Sequence, residues 1–233
     1  GGLLISRHFQ TNPGLWQTQD PDRDNYISIK SSNPQARFHV ENYPVSGMHG
    51  GFRGAENQLV FRLADAELRL GDIVTVTYGD RTAGSRGLRM PDFASDAMPF
   101  PLYVDLDGSN LWYSLPIQPV QIVGATVAGV HGFAPSIVAA GKPFSFSIRA
   151  EDAFANRATG PIPAWRVSIN GEFLRDLPGG NEAIQVIDDI VLENPGVYRV
   201  SIESRDGAIK GVANPIVVKD NPKQFIYWGD THG

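Results

Sequence analysis

The chain has 233 residues, of which 25 are Gly and 17 Pro, a share well above the roughly 12% of average usage. Charged residues make up 19% and hydrophobic ones 42%. That excludes a disordered chain, which needs low hydrophobicity with high charge, and a coiled coil, which would be rich in Ala, Glu, Lys and Leu. No apolar run approaches the roughly 18 residues of a membrane-spanning helix, so no membrane partner is expected. A net charge of −5 without a basic block argues against nucleic acid. The chain has no cysteine, which removes disulfides, thiolate metal sites and cysteine nucleophiles together. A β-sandwich of this size needs no disulfide, so cytoplasm and periplasm both stay open. The chain opens on Gly1-Gly2 without Met and reads as cut from a longer one, with Gly1 a candidate tag remnant.

In chain order, period-two alternation bounded by Gly, Pro, Asn or Asp dominates. Tyr26 to Ser31, Ala36 to Val40 and Gln58 to Leu63 read as short strands, the last with Leu59, Phe61 and Leu63 on one face. A short helix is expected near Leu63 to Leu70. Ile73 to Gly79 is a strand with Val74, Val76 and Tyr78 on one face. Pro101 to Leu106 and Leu111 to Leu115 pair around the turn-forming Asp107-Gly108-Ser109-Asn110.

Pro116 to Pro119 marks a domain boundary, since proline cannot donate to a central ladder. Beyond it, strand signals recur at the roughly 8–12-residue spacing of a sandwich: Val120 to Val130, Lys142 to Glu151, Trp165 to Asn170, Ala183 to Leu192, Val197 to Glu203 and Gly211 to Val218. Asn170-Gly171 is a hairpin signal. Pro195 to Tyr198 resembles the tyrosine-corner entry to a late sandwich strand, with Tyr198, Val200 and Ile202 facing the core. The expectation is all-β: a sandwich-like domain over 1–118, then an immunoglobulin-like sandwich of the filamin kind over 119–219. Asp152 and Asn156 read as caps of a tight turn rather than a calcium site, which wants about six to eight oxygens.

Catalytic signals are sparse. No Gly-x-Ser-x-Gly elbow, phosphate-binding glycine loop or dinucleotide fingerprint occurs. His8, His39 and His131 stand alone, and His49 sits in a glycine-rich loop without a spaced partner. The aperiodic stretch from Asp80 to Phe100 is long for a compact domain. Its Asp80, Arg81, Arg86 and Arg89 are candidates for a substrate loop, because a guanidinium fork suits planar anions. The competing reading, which the residues favour, is an interface loop with ordinary ion pairs.

After the joint Lys219 to Lys223, residues 220–233 read as a linker and the first strand of a missing domain, running Gln224-Phe225-Ile226-Tyr227-Trp228-Gly229-Asp230-Thr231-His232-Gly233. A strand ending in Gly-Asp-Thr-His delivers a histidine to its carboxyl end, where barrel enzymes place their chemistry. The segment Phe225 to His232 resembles the opening of the catalytic region in the bacterial family catalogued as domain of unknown function 3604, related to the polymerase-and-histidinol-phosphatase (PHP) metallohydrolases. Tyr78-Gly79-Asp80-Arg81 with Gly84-Ser85-x-Gly87 also fits that family's front region. The resemblance implies a β region followed by a barrel beginning Gly-Asp-x-His-x-His. His232 then matches the first metal-ligand histidine, and Asp230 orients it. The second histidine and all later ligands are missing, so no cofactor is expected in this fragment and divalent metal ions in the parent.

Two readings follow. In the first, the chain is the non-catalytic accessory region of a metal-dependent hydrolase. Its partner is then the C-terminal catalytic domain of the same chain, and the apolar segment 224–228 folds back or mediates self-association. In the second, it is a stand-alone binding or adhesion protein of tandem immunoglobulin-like modules, with Trp16 and Trp112 as candidate contact residues, although core or inter-domain packing is the favoured reading of both.

Overall fold

The structure is a computed structural model that describes residues 1–6, 14–46 and 55–227. Among these residues the regular elements are all strands, and they form two compact units, Gly1–Ile122 and Val123–Gly233.

The first unit contains β1 (Gly2–Ile5), β2 (Ile27–Ser31), β3 (Arg37–Ser46), β4 (Ala55–Ala64), β5 (Val74–Tyr78), β6 (Ser95–Met98), β7 (Leu102–Asp105), β8 (Tyr113–Ser114) and β9 (Val120–Ile122). A five-stranded sheet runs β3-β4-β1-β7-β8, with β2 and β5 paired separately, as are β6 and β9. Register places Phe61 opposite Leu3 and Leu3 opposite Val104, so these three share a face. Over that face Ile5, Leu59 and Phe61 form a core with Trp16 and Ile27, joined by Ile29, Val76 and Tyr78 of the β2–β5 ribbon.

Several expectations are corrected here. An unforeseen strand opens the chain: Gly2 starts a strand between β4 and β7, and the Gly1 carbonyl accepts the Leu63 amide. No helix forms near Leu63 to Leu70. Strand β4 runs to Ala64, and Asp65 turns the chain with a positive φ of 64°. The expected loop from Asp80 to Phe100 contains a strand, β6. Val120 does not open the second domain, because β9 pairs with β6 of the first. The division therefore falls at Ile122/Val123, beyond the proline cluster.

The second unit contains β10 (Gly129–Phe133), β11 (Ile137–Ala139), β12 (Phe144–Glu151), β13 (Trp165–Ile169), β14 (Glu172–Leu177), β15 (Ile184–Ile190), β16 (Gly196–Tyr198), β17 (Val200–Ser204), β18 (Lys210–Val212) and β19 (Ile216–Lys219). Sheet β10-β12-β15 opposes sheet β14-β13-β17-β18, with a third, β11-β19-β16, along the side. Inward residues alternate as the sequence implies. Phe146, Ile148 and Ala150 from one sheet meet Trp165, Val167, Val200 and Ile202 from the other in one buried core. This is an immunoglobulin-like sandwich. Its tyrosine corner is present: the Tyr198 hydroxyl donates to the Asn194 carbonyl at 2.9 Å. Asn170 and Gly171, with φ of 49° and 85°, turn the β13–β14 hairpin.

Two expected single strands are each divided between sheets. Val197 to Glu203 splits at Arg199 into β16 and β17, and Gly211 to Val218 splits around Asn214-Pro215 into β18 and β19. The sandwich is closed where β10 runs beside β18. A Cβ on Gly211 would lie 2.0 Å from the Val130 carbonyl oxygen, and one on Gly132 would lie 2.6 Å from the Ala213 Cβ. Only glycine permits that approach.

Candidate functional site

The loop after β5 is fastened along its length to residues 24–28. Asp80 is buried, and its amide donates to the Tyr26 carbonyl. Its carboxylate accepts the Ser28 hydroxyl at 2.5 Å, the Thr82 amide at 2.9 Å and the Thr82 hydroxyl at 2.7 Å. The Ser28 bond, then the two from Thr82, outweigh burial and with the Lys30 charge hold Asp80 down at about 2. Asn25, in left-handed backbone with φ of 62°, donates its amide to the Gly87 carbonyl and accepts the Arg89 amide on Oδ1 at 2.8 Å. Beneath the loop, Leu88 packs on the first core, and Gly79 lies so close that a Cβ there would stand 2.1 Å from the Leu88 nitrogen.

Two of the three arginines, Arg86 and Arg89, bear on Asp24. Arg86 forks onto Asp24, Nε to Oδ1 at 2.9 Å and Nη2 to Oδ2 at 2.5 Å. The hydrogen bond from Arg86 first, against burial, and then the Arg86 and Arg89 charges hold the Asp24 carboxyl below its usual range. Arg81 and Arg89 are exposed, and the Arg89 backbone is tied to Asn25. The Arg86 guanidinium is engaged by Asp24, and Arg23 beside it lies 3.7 Å from Asp20. Asp80 is thus a buried cap and Arg86 one half of an ion pair. This is how an ordered surface loop is built, and it contains no reacting constellation.

Asp152 plays the corresponding part in the second unit. Its Oδ1 accepts the Phe154 and Asn156 amides at 2.8 and 3.0 Å, and its Oδ2 accepts the Ala125 amide at 2.9 Å. The Asn156 side-chain amide adds bonds to both oxygens, at 3.2 and 3.0 Å. Burial opposes ionisation, but the Ala125 amide and the Asn156 and Phe154 donors overcome it and place the group at about 2. A carboxylate saturated by N–H donors has no lone pair directed at a cation, so the turn-cap reading holds.

Among the described residues no three His, Cys, Asp or Glu side chains are grouped to hold a metal. His232 lies outside the described residues, as do His8 and His49. His39 and His131 are exposed on strands, His131 beside Phe133 with ring centroids 5.4 Å apart. Trp16 is buried in the first core, stacked on Phe100 and edge-on to Tyr78. Burial pushes that tyrosine hydroxyl up to about 12. Trp112 lies under the Arg62 guanidinium at 4.9 Å. Trp16 therefore packs in the core, the favoured reading, while Trp112 is half-buried.

The feature with the character of a binding surface was only partly visible in the sequence. A groove of about 690 Å³ on the second unit is lined by Phe133 to Ala139, Lys142 to Phe144 and Asn214, together with Phe225, Ile226 and Tyr227 of the tail. The tail lies over it without strand pairing, with Phe225 and Ile226 half exposed. Its apolar run signalled burial, but nothing local named β11 as the element it would meet.

A comparison with protein families finds no match for this chain. An uncharacterized protein of Chlamydia muridarum (strain MoPn / Nigg) is 25% identical over 178 residues, covering 72% of this chain and 28% of that protein. An uncharacterized protein of Chlamydia trachomatis serovar D is 27% identical over 146 residues, covering 60% of this chain and 24% of that protein. The chain thus spans about a quarter of the length of the curated relatives it matches. Among solved structures, the CARDB domain of a Pyrococcus furiosus protein matches 40% of this chain and 94% of its own at 16% identity, with a TM-score of 0.31. The D0-D1 domain of intimin matches 92% of this chain and 87% of its own at 7% identity, with a TM-score of 0.28.

Proposed function

We propose that this chain is a non-catalytic accessory region of a longer protein, in which the second sandwich seats the segment leading into a following domain. The observation that carries the reading is the groove beside β11 and the start of β12 in which Phe225 and Ile226 lie half-buried, with Tyr227 exposed at its rim. Seating an apolar joint there fixes where the next domain leaves, which a polar linker would not do. The ordered polar groups support the same reading. Asp80, Asp105 and Asp152, all buried, accept backbone amides, a structural rather than catalytic use.

The following domain, on this proposal, is a PHP-like metal-dependent hydrolase. Its support is the resemblance of Gly229-Asp230-Thr231-His232 to that family's opening motif, with His232 as first ligand to a divalent metal. Such an ion would polarise an ester and lower the pKa of bound water. The test is a longer natural chain extending past Gly233, compared with residues 1–219. Bound metal and phosphate-ester hydrolysis are expected only in the longer protein and are lost with His232→Ala. A longer chain that binds no divalent metal refutes the hydrolase assignment. Residues 220–228 that can be exchanged for a Gly/Ser linker with no change in the extended protein's shape by X-ray scattering refute the seating role.

A further inference from the structure

We propose that the front face of the β7–β8 hairpin is a self-association surface, on which two copies of this chain pack their first units together. The inference does not depend on which domain follows. Val104 pairs with Tyr113, and the Leu115 amide donates to the Leu102 carbonyl. Val104 also pairs with Leu3, whose other neighbour is Phe61, so Tyr113 and Leu115 continue the sheet's core face. Over β3, β4 and β1 that face is covered by the ribbon. Leu102 of β7 still packs on that core, but past the end of β7 and on β8 the face is open. Leu106 is 76% exposed, Leu111 61%, Tyr113 56% and Leu115 39%.

The platform is rigid from behind. Arg62 donates to Asp105 at 2.8 Å, contacts Asn110 and lies over Trp112. Asp105, fully buried, also accepts the Gly108 and Asn110 amides at 2.9 and 3.2 Å. A preordered apolar surface loses little entropy on association. Its four large side chains expose on the order of 450 Å², the scale of the largest patch on a typical monomer. Doubled by symmetry this is roughly 900 Å², below the ~1,200 Å² of a standard stable interface, so the dimer is concentration-dependent rather than obligate.

Charge permits a second copy. From Gly108 to Leu115 the hairpin carries no Asp, Glu, Lys or Arg, so at the apolar centre of a two-fold no like charges face one another. Two edges of the second unit are guarded differently. Strand β15 bears a register shift with Asp188 and Asp189 at it, and β14 bears a shift and Glu172, Arg175 and Asp176. At β8, Pro116 and Pro119 restrict strand addition instead, leaving the face as the open surface. The adjoining groove carries Glu67, Asp72 and Asp107 on its lining, which in a dimer stay at the rim and repel weakly.

The test is sedimentation equilibrium of the chain from micromolar to near-millimolar concentration, at low and high salt. A reversible dimer that tightens with salt is expected, because screening removes rim repulsion while apolar burial persists. Tyr113→Arg and Leu106→Arg are each expected to weaken it roughly 30-fold or more, with unchanged circular dichroism. Should Tyr113→Arg not fold, Leu106→Arg, on the exposed turn, carries the test. A monomer at every concentration, a dimer unaffected by Leu106→Arg, or a dimer abolished by truncation after Lys219 overturns the proposal, the last assigning association to the tail.

Discussion

Replacing Asp152 by alanine should destabilise the second unit far more than any exposed acidic substitution. The carboxylate is 5% exposed and serves three backbone amides, Ala125, Phe154 and Asn156, together with the Asn156 side chain. A hydrogen bond to a charged group contributes about 1.5–3 kcal/mol, and a buried amide left unmade costs about 1–3 kcal/mol. Water can reach part of this turn, since Ala125 and Phe154 are exposed residues, so the sum is discounted to about 3–4 kcal/mol. That is a large part of a domain stability of about 5–15 kcal/mol. Asp152→Asn keeps one acceptor but turns an NH₂ toward a backbone donor, and should cost about 2 kcal/mol. Urea unfolding of residues 123–219, followed through Trp165 in the buried core, is the assay. The folded pKa is depressed to about 2, so this group's contribution is complete above its unfolded value of about 3.9. It is lost as pH falls through the folded value. The wild type should therefore lose stability between those two pH values, and Asp152→Asn should show a flatter profile there. Alanine costing less than about 1 kcal/mol would refute the capping argument.

Gly211→Ala should open the β10–β18 seam, because the added carbon meets the Val130 carbonyl, with a loss of about 3 kcal/mol or more by urea denaturation. Asp80→Asn should speed hydrogen exchange at the Thr82 amide. The same amide in the wild type should lose protection as pH falls from about 4 through the Asp80 folded value of about 2. Arg86→Ala should leave the urea midpoint of the first unit unmoved, its partner Asp24 lying on the surface beside it. Truncation after Lys219 should leave both units folded and cost the second about 1–3 kcal/mol, since Phe225 and Ile226 are only half buried. Complete unfolding of the second unit would mean the tail belongs to its core.

What the sequence determined by itself is the all-β class, the inward faces and the turns. Val74, Val76 and Tyr78, or Phe144, Phe146 and Ile148, advertise their face because the two-residue period of a strand is written residue by residue. Asn170-Gly171, Asp152 with Asn156 and Tyr198 were legible for a similar reason: their hydrogen bonds close within a few residues, or their backbone angles are preferred locally. Only the tertiary structure decided the rest. Arg199 breaks no alternation, yet the chain changes sheet there, because partner strands distant in sequence set the pairing; the other change of sheet falls at Asn214-Pro215, where the proline did mark a break. Arg81, Arg86 and Arg89 share a short loop, but where their charge is spent is not written in it. Arg86 is claimed by Asp24, 62 residues earlier, a partner that nothing in the loop announces. The uncovered face past β7 and on β8 was equally hidden. Tyr113 and Leu115 carry the pattern of core residues, and whether a second layer reaches them depends on where the β2–β5 ribbon ends, which is a property of packing.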